Sequence, residues 1–158
     1  MKITVKRTAD LPDCDLAPLL ADSHRENSRI VQRLIEDWQS GKNRFDKDGE
    51  ALFIAVDDGC IVGVCGVNVD PFAGNPRIGR VRRLYVMASE RRKGIGSSLV
   101  RRVMEEARKR FTRLHVRTNT ETADGFYRAL GFSPCPGHPD YTHSFDLWGD
   151  SKPKPSLK

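Results

Sequence analysis

Residues 84–99 read LYVMASERRKGIGSSL, and this segment restricts the fold more tightly than any other in the chain. Leu84, Tyr85 and Val86 close a run of strand-forming residues, while Ile95, Leu99, Val103 and Ala107 recur on one helical stripe with Arg and Glu opposite. The turn between them holds three cations, Arg91, Arg92 and Lys93, and two glycines, Gly94 and Gly96. A helix start leaves its first amides without partners, glycine lets a ligand close on the backbone, and the helix dipole favours negative charge. A phosphate group fits such a place, although a Gly-rich turn can also be a plain connection. The segment lacks G-x-x-x-x-G-K-[ST], and Leu99 stands where a dinucleotide fingerprint needs its third glycine, which argues against ATP and NAD.

The rest of the chain supplies a sheet for this unit. Alternation in KITVKRT at 2–8 predicts a half-buried strand, and LAPLL at 16–20 a short helix after the loop around Pro12. Ile30, Val31, Leu34, Ile35 and Trp38 mark an amphipathic helix, capped from Asn27 or Ser28 and stopped by Gly41. ALFIAV and IVGVCGVNV flank Asp57-Asp58-Gly59-Cys60, a hairpin pattern, and IGRVRRLYVM at 78–87 continues the meander. A helix over 94–110 and a strand over 113–118 come next. Ala123, Phe126 and Leu130 then mark a short helix ended by Gly131, with Phe132 placed for the apolar contact of a C-terminal cap. THSFDLW makes a last strand. With 158 residues and 38% hydrophobic content, the expected organisation is one domain over 1–148 and a mobile tail over 149–158.

The net charge of +6 is unevenly spread: residues 77–117 hold 14 Lys or Arg against 3 Asp or Glu, and the remainder holds 13 against 18. A phosphorylated cofactor, a nucleic acid or a membrane surface would each answer such a segment, and so would a solvated helix face for Arg101, Arg102, Arg108, Lys109 and Arg110. No apolar stretch approaches the ~20 residues of a membrane span, and MKITVKRTAD lacks the apolar centre of a signal peptide, so a cytoplasmic protein with reduced thiols is expected. Cys60, Cys65, Cys135 and His138 are loosely spaced like metal ligands, but Cys65 lies inside an apolar run, and no metal is expected.

Arg91-Arg92-Lys93-Gly94-Ile95-Gly96 after LYVMASE, followed by ADGFYRALGF, resembles the GNAT superfamily of N-acetyltransferases. The likeness is close over residues 81–132 and extends to the whole chain in the order of elements. It implies an α/β fold with a mixed, mostly antiparallel seven-stranded sheet flanked by about four helices, and acetyl-CoA as cosubstrate. It implies that Arg91, Arg92, Lys93, Gly94, Ile95 and Gly96 hold the pyrophosphate, chiefly through backbone amides, with Ser97 adding a hydroxyl. Leu84 and Val86 would lend backbone groups to the pantetheine arm, Asn119 would contact the cofactor, and a homodimer is common among such proteins.

In this resemblance Tyr127 occupies the general-acid position, donating a proton to the departing CoA thiolate; read by itself, it is a ring packed beside Phe126. Many relatives carry a Glu on the strand ending in LYV, where this chain has Arg80-Val81-Arg82-Arg83. Water or another group must then take the acceptor's proton. His115 is the best-placed histidine for a base, with a structural role as its alternative, and His143 shares a strand face with apolar residues and reads as packing. His24 and Glu26 are candidates for the acceptor site. The leading expectation is an acetyl-CoA-dependent N-acetyltransferase acting on a small-molecule amine or a peptide. A silent acyl-CoA-binding module is the alternative, and a nucleic-acid binder using 77–117 a weaker one, since no exposed aromatics interleave the charges.

Overall fold

The computed structural model describes residues 3–148, so the tail at 149–158 lies outside the described residues. In chain order the elements are β1 (Ile3–Thr8), α1 (Ala17–Arg25), α2 (Ile30–Ser40), β2 (Ala51–Asp57), β3 (Cys60–Val69), β4 (Ile78–Val86), α3 (Ile95–Ala107), β5 (Arg113–Val116), α4 (Glu121–Ala129), β6 (Ser133–Pro134) and β7 (His143–Asp146). The strands form one open sheet in the order β1-β2-β3-β4-β5-β7-β6. Every neighbouring pair is antiparallel except β4 and β5.

Side chains alternate across a strand, and β2 shows how this sheet uses both faces. Phe53 packs into a core with Leu99, Val103, Phe111 and Leu114 under α3, while Leu52 and Ile54 join Leu19, Val31, Leu34 and Trp38 under α1 and α2. With helices on both faces, β2 and β3 read as continuous apolar runs. Cys65 is one of these fully buried residues, and no cluster of potential metal ligands occurs among the described residues.

Local signals explain most boundaries. Ile30 N–H donates to Ser28 Oγ, Gly41 ends α2, and the Asp57↔Cys60 pair closes the hairpin. Phe132 N–H returns to Tyr127 O and Gly131 N–H to Arg128 O, the paired bonds of a helix C-terminal cap. Several boundaries differ from expectation: β5 ends at Val116, short of 118, and β7 is trimmed to His143–Asp146. α1 runs on to Arg25 because Asp22 and Ser23, polar but buried, find partners there: Tyr85 Oη for Asp22 and Leu20 O for Ser23. α3 stops at Ala107, three residues short of the basic run's end, and the chain turns so that Phe111 enters the core. The seventh strand is the two-residue β6, which pairs Ser133 with Ser144 and Pro134 with His143.

The sheet opens at β4, for two reasons. This strand pairs with β5 only from Ile78 to Arg80, so the edge from Val81 to Val86 has no strand beside it and the two strands part. On its other side the register with β3 shifts between Val64 and Gly66, and Arg83 adopts a φ of 60°. That bulge bends the strand where it parts from β5.

Candidate functional site

The parting of β4 and β5 opens a cleft of about 1230 Å³. Its walls are the free edge of β4, the loop and first turn of α3, the segment from Val116 into α4, and the corner between α1 and α2. The cofactor residues expected from the sequence, Leu84, Val86, Arg91, Arg92, Gly94, Ile95, Gly96, Ser97, Asn119 and Tyr127, all line this one cleft; Lys93 sits in the same loop but does not.

The loop before α3 is an amide cradle. Ser98 N–H is the first to close the helical ladder, onto Gly94 O at 3.0 Å, and the amides of Gly94, Ile95, Gly96 and Ser97 before it have no partner among the described residues. Gly94 has a φ of 83°, and a Cβ built on it meets nothing within 4 Å, so glycine is needed for the turn and leaves space over the amides. The cations divide their tasks. Arg91 is a strut: its Nε donates to Val86 O at 3.0 Å, its Nη1 to Glu26 Oε1 at 2.8 Å, and its guanidinium lies 5.4 Å from the centre of the Tyr85 ring. Lys93 Nζ donates to Glu90 Oε2 at 2.7 Å. Arg92 is exposed at the rim.

Along β4, Met87 N–H faces β3 and donates to Val62 O, so strand alternation turns the backbone groups of Val86 and Leu84 toward the free edge. Val86 O is already taken by Arg91. Across the cleft, Thr120 caps α4 by accepting from Ala123 N–H, with exposed Asn119 just before it. Tyr127 is 4% exposed, edge-on to Phe126 and Phe132 at 5.0 and 5.3 Å. Its hydroxyl has no hydrogen-bond partner among the described residues, and burial pushes its pKa well up, so it is a neutral O–H at any working pH.

Three polar partnerships were not legible in the sequence. Tyr85 Oη and Ala88 N–H both donate to Asp22 Oδ2, at 2.7 and 3.1 Å, tying α1 to the end of β4. Burial pushes the Asp22 carboxyl up, but these bonds and Arg25 outweigh it and hold the group below the usual range. His143, read from the sequence as packing, is buried as a polar group: Nε2 lies 2.6 Å from Asp124 Oδ1 and Nδ1 2.9 Å from Thr142 Oγ1. His115 Nδ1 lies 2.7 Å from Asp70 Oδ2, with Tyr141 stacked on the ring at 3.7 Å. Burial lowers the His115 pKa despite Asp70, so the ring is neutral, and its Nε2 is buried without a partner among the described residues. His115 does not line the cleft, whereas Arg80, its neighbour on β4, does. Glu26 lines the cleft; His24 is exposed and bonded to Gln32.

A model of the acetyltransferase (GNAT) family matches residues 15–132. Among solved structures, the chain is similar to a protein from Exiguobacterium sp. 255-15 inferred to be an acetyltransferase, with 33% identity and a TM-score of 0.81 over 92% of this chain and 94% of that one. It is also similar to an acetyltransferase of the GNAT family from Staphylococcus aureus Mu50, at 16% identity and a TM-score of 0.71 over 92% and 99% of the two chains. An N-acetyltransferase from the same organism aligns at 18% identity with a TM-score of 0.67 over 93% and 99%. At such identities the last two speak for the fold alone. No curated protein sequence matches the chain.

Proposed function

This chain belongs to the acetyltransferase (GNAT) family, and on that premise we propose that it moves an acetyl group from acetyl-CoA to a primary amine by direct attack in a ternary complex. The observation that carries the reading is the convergence, in one cleft, of an amide cradle for phosphate, a free strand edge and a phenol with no other partner. The amides of Gly94 to Ser97, with Arg92 at the rim, suit the pyrophosphate; Leu84 and the N–H of Val86 suit an extended amide-bearing arm. Arg91 and Lys93 keep the cradle in shape through their carboxylate partners.

The chemistry is a substitution at the thioester carbon. The amine nitrogen supplies the electron pair for the new C–N bond, the C–S bond breaks, and sulfur leaves with its pair. Tyr127 donates its proton to that sulfur and regains one from water. A phenol of raised pKa is a weak acid, but a thiolate in the same dry place is more basic than in water, which narrows the gap. The amine's own proton goes to water, because no carboxylate stands on β4.

A second reading of the base has one observation in its favour. Asp70 orients His115 and leaves a neutral imidazole with an unpartnered Nε2, the state a base requires. Tyr141 covers the face of this ring, and His115 does not itself line the cleft.

The test is to incubate the protein with acetyl-CoA and a panel of amines, following thiol release and acetylated product together. Equal appearance of both supports the transferase reading. Acetyl-CoA binding with no product from any amine supports a silent acyl-CoA-binding module.

A further inference from the structure

The cleft holds a second concentration of positive charge, distinct from the α3 cradle. Strand register places Asn68, Arg80 and His115 side by side on β3, β4 and β5, and residues so paired share a face. Arg82 shares that face two residues on, opposite Gly66, whose missing Cβ would point into Phe45 in the core under α2. Asn68, Arg80 and His115 each have a buried polar atom with no hydrogen-bond partner among the described residues: Asn68 Oδ1, Arg80 Nη1 and His115 Nε2. Buried polar groups are nearly always bonded, so three unsatisfied atoms side by side call for an explanation.

Arg80 is 7% exposed yet lines the cleft, with its guanidinium 5.0 Å from the centre of the Phe72 ring. The carboxylate it pairs with, Asp70, lies 3.7 Å away and is already bonded to His115, while Asp140 acts on it without a hydrogen bond or ion pair. Arg83 is held by Asp37 at 2.9 Å. The side chains of Arg82, Arg33 and Arg117, all at this cleft, make no hydrogen bond or ion pair among the described residues. Burial, together with Arg83 and Arg80, pushes the Arg82 pKa down to about 10, although Asp37 and Asp70, each already bonded to another residue, oppose the shift. The acids lining the cleft, Glu26 and Glu90, are engaged by Arg91 and Lys93 near the cradle. A half-buried guanidinium beside two others is unfavourable until an anion joins it.

We propose that Arg80 and Arg82 bind a carboxylate or phosphate carried by the acceptor, so that the preferred substrate is a small anionic amine and not a polyamine. This rests on the transferase reading for the word acceptor. The cradle at α3 serves the phosphates of CoA, and the arginine row on the α2 side of β4 serves the second substrate.

The experiment uses matched pairs: an amino acid with its carboxamide, and a phosphorylated amino alcohol with the parent alcohol. The wild type should favour the anionic member of a pair by about 10–100-fold in kcat/KM, the worth of one charged hydrogen-bond pair. Arg82→Gln should bring that ratio toward one, Arg82→Lys should restore part of it, and neither should alter the affinity for acetyl-CoA. In parallel, the N-acetylated carboxylate product is titrated against the wild type and Arg82→Gln in the presence of CoA. Binding lost in the variant supports the site even if turnover is undetectable, an outcome that would count against the transferase reading alone. Equal use of both pair members, preference for a polyamine, or an Arg82→Gln defect confined to acetyl-CoA would overturn the proposal.

Discussion

Tyr127→Phe separates packing from chemistry because the structure makes the two effects differ in size. The substitution keeps the ring and its edge contacts with Phe126 and Phe132, and the hydroxyl it deletes bonds to no described residue. Removing an unpaired, mostly buried hydroxyl forfeits no hydrogen bond, so the folding free energy should change by less than about 1 kcal/mol, with either sign. The affinity for acetyl-CoA should hold, since the cradle lies on another element. Turnover should fall about 10²-fold, equivalent to about 2.7 kcal/mol of transition-state stabilisation, if the phenol serves the leaving sulfur. The assays are a thermal melt with and without acetyl-CoA, and steady-state thiol release with acceptor saturating. An unchanged kcat, in a variant that melts like the wild type and binds cofactor, would refute the assignment and make the side chain a packing residue.

Gly94→Val places a branched side chain at a φ of 83° over the amides, and should abolish stabilisation by acetyl-CoA in a thermal-shift assay; the unliganded fold should weaken by about 1–2 kcal/mol. Asp22→Ala leaves the buried Tyr85 hydroxyl and the Ala88 amide without their shared acceptor, and should cost about 2–4 kcal/mol by chemical denaturation. Stability should fall with acid in two stages. His115 has a pKa below the ordinary 6.5, so its contribution is present above 6.5 and lost as pH drops through the folded value; Asp22 and Asp124, both below the ordinary 3.8, respond at lower pH. His115→Gln should flatten the first stage in urea melts taken across pH, and an unchanged curve would assign that stage elsewhere. The acetylation rate should rise with pH toward an apparent pKa below that of the free acceptor, because arginine side chains without carboxylate partners disfavour an ammonium ion; an inflection below 6.5 that vanishes in His115→Gln would identify His115 as the base.

What the sequence revealed and what it hid divide along one physical line. The Asp58-Gly59 hairpin, the stop at Gly41 and the Gly131-Phe132 cap are local devices, each needing only a few neighbouring residues, and all stand where the pattern put them. The cradle was legible for the same reason: a strand, two glycines and a helix start are contiguous. β6 escaped the residue pattern because two residues, one a proline, show no alternation, and the seventh strand came only from the family resemblance. α1 looked too short because Asp22 and Ser23 interrupt its apolar pattern, and the group that satisfies Asp22 lies 63 residues away on β4. Asp70 with His115, and Asp124 with His143, are likewise pairs made by topology. The arginines of β4 appeared in the sequence as the absence of a carboxylate; only the bulge and the short pairing with β5 turn them into the lining of a cleft.

The central claim is that one cleft binds acetyl-CoA and passes its acetyl group to an amine. Acetyl-CoA labelled in the acetyl group, incubated with the protein and an anionic amine, measures this directly. The account predicts label in the amine and free CoA thiol in equal amounts, both dependent on the acceptor and both lost in Gly94→Val. Label that stays on CoA, or thiol released at the same rate with and without an amine, would contradict it.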